Sequence, residues 1–426
     1  MPLRRRAAVL AAVAVTALSA LAAAPAATAD TASPSASATA SAPEPKLPAG
    51  LYGTADPTYD GVWRQSYALL ALTTYGVTPA PAAVTWLTGQ QCADGGFPSY
   101  RADTAKACDP KLEDTNATGI AVQALAALGG HDAVTAKAVG WLTGVQNADG
   151  GWSYNPGAAS DPDSTGVVIG ALAAAGKDPA AVRKGGGGTA YDALRGFQFG
   201  CKAKETDRGA YGYPTDGKLA VNAKASADAV RGGAGAGFVV KPPAAGTTAK
   251  PLACPAGAAD RAASTDAGAA WLTERLAAGG DHLTAVTPGA DTPTPDYGTT
   301  ADAVVALAAA GHLAPAASAY GWLAAHSAQW SRGNPAALSQ LVLAAHAAGA
   351  DPRAAGGADL VQQLTNLGPR PAPAASASAS ASASAKKKDD GGSSAASTWL
   401  IVGVFFVASV GVGFLLSGRR RNRPGA

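Results

Sequence analysis

The stretch Trp86-Leu87-Thr88-Gly89-Gln90-Gln91-Cys92-Ala93-Asp94-Gly95-Gly96-Phe97 returns as Trp141-Leu142-Thr143-Gly144-Val145-Gln146-Asn147-Ala148-Asp149-Gly150-Gly151-Trp152. A phrase repeated along one chain means a supersecondary unit stacked on copies of itself. In both copies an Ala-rich amphipathic run ends in Trp-Leu-Thr-Gly. An Asp-Gly-Gly-aromatic turn follows, whose glycines reach the positive φ of a tight reversal. A second helix then opens at a polar cap, Asp114-Thr115-Asn116-Ala117-Thr118-Gly119 in one copy and Asp161-Pro162-Asp163-Ser164-Thr165-Gly166 in the other. Asp, Ser, Thr and Asn accept hydrogen bonds from the free N–H groups of a first helical turn, and Pro is tolerated there. Each repeat therefore reads as an antiparallel pair of helices.

Outward from these two copies, cap-opened helices are expected to start near Gln65, Asp114, Asp161, Val221, Gly298 and Asn334, with partners near Pro81, Asp132, Ala190, Arg261, Pro315 and Pro352. Trp271-Leu272-Thr273 and Trp322-Leu323 echo the Trp-Leu of the clear copies, while Gly232 to Gly237 and a Pro-rich insertion blur the fourth pair. Six pairs predict an all-α fold over 51–368, an (α/α)6 toroid of six helical hairpins with six inner helices round a cavity. Trp86, Trp141, Trp271 and Trp322 occupy matching places on outer helices and are expected in the core.

The flanks bound the setting. Arg4, Arg5 and Arg6, the apolar run Ala7 to Ala24 and Ala27-Thr28-Ala29 have the pattern of a signal peptide over 1–29. A Ser/Ala/Pro-rich lead-in over 30–50 holds too little apolar surface to fold. A low-complexity stalk over 369–396 leads to an apolar segment, 397–417, long enough for a single transmembrane helix. The basic tail 418–426, with Arg419, Arg420, Arg421 and Arg423, is then placed in the cytoplasm, and the helical domain outside the cell. Without those seven arginines the formal charge of +3 becomes −4. No basic stripe remains, which argues against a nucleic-acid partner. Four cysteines in an exported chain most simply form two disulfides. Proximity pairs Cys92 with Cys108 and Cys201 with Cys254, although four cysteines allow three pairings. No Cys-x-x-Cys occurs and no His stands near a Cys, so no metal site is expected.

The phrase Gln146 to Trp152 resembles the Gln-to-Trp repeat of squalene and terpenoid cyclases, and Gln91 to Phe97 is the same with Phe for Trp. The resemblance covers roughly Leu51 to Leu367. It is shared by the whole toroid superfamily, which includes protein prenyltransferase β subunits and the cobalamin carriers of the intrinsic factor and transcobalamin type. It implies that Gln caps a helix end and that the aromatic packs between repeats; the chemistry stays open.

Asp161-Pro162-Asp163-Ser164 resembles the Asp-x-Asp-Asp of class II terpene cyclases, which implies Asp163 as a general acid, with Asp161 beside it. A proton donor of that kind is a carboxyl kept neutral in a dry pocket. Ser164 replaces the last Asp of the motif. The competing reading is a helix cap, because Glu113 to Gly119 fills the same place one repeat earlier. The inner helices at 120–128, 167–175 and 301–310 carry no Trp, Phe or Tyr. A wide, bare bore is therefore expected, poorly suited to stabilising cations. A prenyltransferase's Asp, Cys and His zinc set is missing too. His131, His282 and His312 fall at turns or helix ends, and His326 and His346 read as packed or surface residues.

A non-catalytic binding toroid remains. Phe97, Tyr100, Trp152, Tyr154, Tyr211, Tyr213 and Tyr297 collect in rim loops, where rigid amphipathic rings suit a large flat or sugar-like ligand. Trp152 and Phe97 also read as staples between repeats, whereas Tyr211 and Tyr213 stand in the irregular insertion. Tyr67 is a candidate to face the cavity, and Asp114, like Asp163, a candidate contact at its mouth. Gln123 and Gln340 are either cavity contacts or satisfied core groups. The likeness to cobalamin carriers implies a corrinoid or similar bulky nutrient, handed to a membrane importer. An enzyme using Asp163 and a structural protein-interaction module are the alternatives.

Overall fold

The computed structural model describes residues 48–371, apart from 245, 259 and 287–291. The expected signal peptide, the lead-in up to residue 47, the stalk from 372 on, the transmembrane helix and the basic tail lie outside the described residues. Among those described, no helix is long and apolar enough to cross a membrane.

The chain is all-α in character. Its helices are α1 (Gly61–Thr74), α2 (Pro81–Gly89), α3 (Thr115–Leu128), α4 (Asp132–Gly144), α5 (Pro162–Ala174), α6 (Ala190–Gly196), α7 (Ala223–Gly233), α8 (Arg261–Ala278), α9 (Tyr297–Ala309), α10 (Leu313–His326), α11 (Ala328–Ser331), α12 (Pro335–Ala348) and α13 (Leu360–Asn366). Two short antiparallel ribbons decorate the loops, β1 (Gly212–Thr215) with β2 (Lys218–Val221), and β3 (Thr284–Ala285) with β4 (Thr294–Pro295). Asp216 and Gly217 both take positive φ between β1 and β2, as a two-residue hairpin turn requires.

Six helices form a cycle: α1 packs on α3, α3 on α5, α5 on α7, α7 on α9, α9 on α12, and α12 back on α1. Four of them, α3, α5, α9 and α12, are built mainly of Ala, Val, Leu and Gly and are buried on nearly every side, as a largely apolar helix must be. Small residues let neighbours approach closely. A Cβ at Gly166 of α5 would lie 2.5 Å from the Asp228 carbonyl of α7, so only glycine fits that crossing. The seam closes where Gly53 N–H donates to the Leu367 carbonyl at 2.8 Å. Near Pro352 the expected helix is instead a turn, because Gly356 and Gly357 both adopt positive φ; α13 starts only at Leu360.

One hydrogen-bond arrangement recurs at the start of these helices. The aromatic's backbone N–H donates to a hydroxyl in the first turn of the next helix of the cycle: Phe97 to Thr118 Oγ1 at 2.9 Å, Trp152 to Thr165 Oγ1 at 3.0 Å, and Tyr211 to Ser226 Oγ at 2.9 Å. Leu283 does the same to Thr300 Oγ1, and Tyr52 N–H reaches Gln65 Oε1. The preceding Gln ties its own turn to the following hairpin. Gln91 donates to the carbonyls of Gly95 and Val134, Gln146 to Gly150 and Val182, and Gln198 to Gly209 and Ser264. Buried amides and hydroxyls are thus satisfied inside an apolar junction, where leaving them unpaired is costly. The disulfides are Cys92–Cys108, within the loop between α2 and α3, and Cys201–Cys254, which joins the segment after α6 to the segment before α8.

The bare bore is corrected. Downstream of α7 the chain turns into the ring and places Phe238 there, 2% exposed, with ring centroids 5.0 Å from Tyr67 and 5.8 Å from Trp63 of α1. Phe238 N–H donates to Gln123 Oε1 of α3 at 2.9 Å, and Arg231 lies 3.9 Å over its ring. The inner-helix stretches without aromatics are read correctly, but α1 and the insertion supply the rings. Trp322 is a second correction: it is half-buried, where Trp86, Trp141 and Trp271 are buried, because its neighbours are stacked rings rather than an enclosing loop.

Candidate ligand site at the mouth of the ring

Helix α7 carries Lys224, Asp228 and Arg231 at spacings of four and three, so all three lie along one stripe. That stripe runs along the side where α7 packs on α5 and α9. Lys224 Nζ lies 2.5 Å from Asp228 Oδ2 and 3.3 Å from Asp302 Oδ2 of α9. Arg231 pairs with the other oxygen of Asp228. Gln340 of α12 donates through Nε2 to Asp302 Oδ1 at 3.1 Å. The Asp228 and Asp302 side chains are 1% and 6% exposed, whereas the Lys224 side chain is 44% exposed along its length while its ammonium is held between the two carboxylates.

Asp163, in the first turn of α5, completes the cluster. Its Oδ1 is buried with no hydrogen-bond partner, and its carboxyl is pushed up to about 7, by burial first and then by the negative charge of Asp228, with Lys224 opposing. Burial likewise raises Asp302, against the pull of Lys224. Burial acts on Asp228 too, but Lys224 and Arg231 outweigh it and hold that carboxyl low. The Lys224 ammonium, disfavoured by burial, is kept charged by Asp228, Asp302 and Asp163. The result is a mixed set: two cations, Lys224 and Arg231, two carboxyls paired with them, a carboxamide, and one carboxyl that changes charge near neutral pH. Tyr67 stands beside them, raised well above its ordinary value by burial and by Asp302, and Tyr213 of β1 stands near Asp163, raised by burial and by Asp161 and Asp163.

The sequence candidates divide on this frame. Tyr67, Asp163, Tyr213 and Gln340 come together at the cluster. Asp161 does not join them: its two oxygens accept from Ser164 N–H at 2.7 Å and Ser164 Oγ at 2.8 Å, a complete helix cap. Asp114 caps α3 through Asn116 and Ala117, and Ser99 Oγ, which donates to it at 3.1 Å, lies 3.3 Å from the hydroxyl of rim residue Tyr154. Trp152 and Tyr211 are corrected as contacts, since both are buried in repeat junctions and Tyr211 hydrogen-bonds Ser264. Gln123 is spent on Phe238 and Val167. Tyr297 sits in an aromatic stack at the start of α9. Lys224, Asp228, Arg231 and Asp302 were missed by motif reading; the available signal was charge inside helices otherwise made of Ala, Val and Gly.

Other hollows, two of them near the insertion, stand apart from the cluster. One of about 520 Å³, lined by Leu70, Ala126, Ala173 and Val239, lies behind Phe238. Another of about 940 Å³ opens between the 250–258 loop and α8. The first has no charged residue in its lining, and in the second Asp260, Arg261 and Asp266 are spent locally, Asp260 capping α8, Arg261 donating to the Gly233 carbonyl and Asp266 paired with His312.

No family model matches the chain, and no curated protein matches it. Among solved structures it is similar to one described as the crystal structure of a protein from Actinoplanes, at 16% identity and a TM-score of 0.45, over 70% of this chain and 92% of that one.

Proposed function

We propose that this protein is an (α/α)6 toroid of the superfamily its repeats resemble, exported, anchored by a C-terminal transmembrane helix, and acting as a surface receptor for a bulky polar ligand. The observation that carries the reading is the partly exposed Lys224 side chain, its ammonium set among Asp228, Asp302, Asp163 and Gln340 where the inner helices begin. Such a floor offers donors and acceptors together. It suits a ligand rimmed with amides or hydroxyls and is poorly suited to a purely apolar one. A corrinoid, a flat macrocycle bordered by carboxamides, fits that description, and a membrane importer would receive it.

The test is a titration of the purified full-length chain in neutral detergent with cobalamin, followed by calorimetry and by absorbance of the corrin. Saturable one-to-one binding, weakened about ten-fold or more by Lys224→Met, supports the reading. Absence of both heat and spectral change at millimolar cobalamin overturns the corrinoid assignment.

A second reading, acid catalysis on a polyprenyl substrate, is favoured by one observation: the Asp163 carboxyl titrates near neutrality. Against it, the groups next to that acid are an ammonium and two carboxylates, whereas alkene protonation needs an apolar chamber beside the donor. Turnover of a polyprenyl diphosphate that disappears in Asp163→Asn would reverse this ordering.

A further inference from the structure

The fifth hairpin breaks the pattern of the others. At the place where Trp141 lies against Glu113, whose carboxylate it hydrogen-bonds, and Trp271 donates to the Thr206 carbonyl at 2.9 Å, Trp322 is half-buried. It belongs to a stack of rings drawn from separate segments. His282 lies 4.1 Å from it at 8°, His326 4.8 Å at 19°, and Tyr297 5.3 Å at 27°, and Tyr297 in turn lies 5.6 Å from Trp330 at 21°. None of these five rings is fully buried. Among the described residues, the indole N–H of Trp322 and of Trp330, the Tyr297 hydroxyl and Nε2 of both histidines have no protein partner, while Nδ1 of His326 is fixed 2.8 Å from the Trp322 carbonyl.

Nearly parallel rings spend their faces on one another along the stack and keep their rims, where the polar atoms sit, toward solvent. Only the end rings keep an outer face. The outcome is a row of hydrogen-bonding rims at intervals of 4–6 Å, with the indole face of Trp330 as an apolar plate at one end. Sugar rings carry hydroxyls on their edges and C–H groups on their faces, and this display answers both. A peptide partner would need an apolar anchor pocket, and the stack offers none.

We propose that the His282–Trp322–Tyr297–Trp330 stack is a carbohydrate-binding surface that takes a linear, hydroxyl-rich oligosaccharide. It does not depend on the bore reading, since no member of the stack belongs to the Lys224 cluster.

The test titrates the full-length chain with chitohexaose and, separately, cellohexaose, monitoring indole fluorescence and calorimetric heat. Binding of either, weakened about ten-fold by Trp330→Ala, is expected; a response to chitohexaose alone assigns the contacts to N-acetylated sugars. His326→Ala guards against a folding artefact, because His326 is exposed and its loss is expected to lower the melting temperature only slightly, by its one bond to the Trp322 carbonyl, while still weakening the sugar. Neither oligosaccharide altering fluorescence or heat at millimolar concentration overturns the proposal, as does binding that survives both substitutions intact. Cobalamin titration of the same His326→Ala sample stays as in the parent, so failure of the bore reading and failure of this one are told apart.

Discussion

Asp161 and Asp163 stand two residues apart on one helix start and have different fates. Asp161 turns back to the helix N-terminus and is fully bonded there; Asp163 points to Lys224 and Asp228. The cap and the carboxyl that titrates near neutrality are therefore two different residues. Burial and Asp228 raise the Asp163 pKa in the folded chain from 3.8 to about 7. A raised pKa contributes stability that is complete below the unfolded value and is lost as pH rises through the folded one. Asp163→Asn is thus expected to match the parent near pH 4 and to exceed it at pH 8, by on the order of 2 kcal/mol, since residual solvent access and the positive end of α5 moderate the full shift. Urea midpoints at the two pH values check this. A second prediction concerns the junction hydroxyls: Thr118→Val leaves the Phe97 N–H unpaired in an apolar setting and should cost roughly 1–3 kcal/mol, with Thr118→Ser nearly neutral.

Among elements, α7 differs most from its sequence reading. Its neighbours in the ring carry a single acidic residue each, Asp163 on α5 and Asp302 on α9, and periodicity alone assigns α7 the same role. What it brings is a stripe of charge, Lys224, Asp228 and Arg231, whose buried members are tolerable only because each is paired. Arg231→Met should therefore destabilise by about 3 kcal/mol or more, because Asp228 keeps its burial and loses one of its two cations. Thermal denaturation, with Arg231→Lys as a control that keeps the charge, reads the effect. The starts of α3, α5 and α12 were legible because Asp114, Asp161 and Asn334 are caps written in the sequence, and each caps in the structure. The third repeat turn was not legible. Gln146 and Gly150 are four residues apart, but Gln198 and Gly209 are eleven apart, so the same ties pass unnoticed and Tyr211 reads as a loose loop residue. Phe238 escaped for a related reason, since its place depends on where an irregular insertion travels, and no local pattern encodes that.

At the scale of the whole molecule, the helical architecture follows from repetition, while the contents of the ring follow from its departures from repetition. The Cys201–Cys254 bridge spans the least regular stretch, a sequence separation of 53 residues that includes Phe238. Reduction should lower stability by about 2–4 kcal/mol through the freedom regained by the unfolded loop. The chain with both cysteines replaced by serine, compared with the parent in a reducing and a non-reducing melt, measures it.

The seam at Gly53 and Leu367 has a kinetic corollary. A ribosome releases the first hairpin long before the last, and α1 has one flank with nothing to lean on until α12 and α13 emerge. Every intermediate short of that is an arc with two greasy ends, and arcs of neighbouring copies present complementary ends to one another. Assembly of the monomer is thus a race between its own final hairpin and a sister molecule. Nascent chains halted upstream of residue 335 would be expected to join end to end.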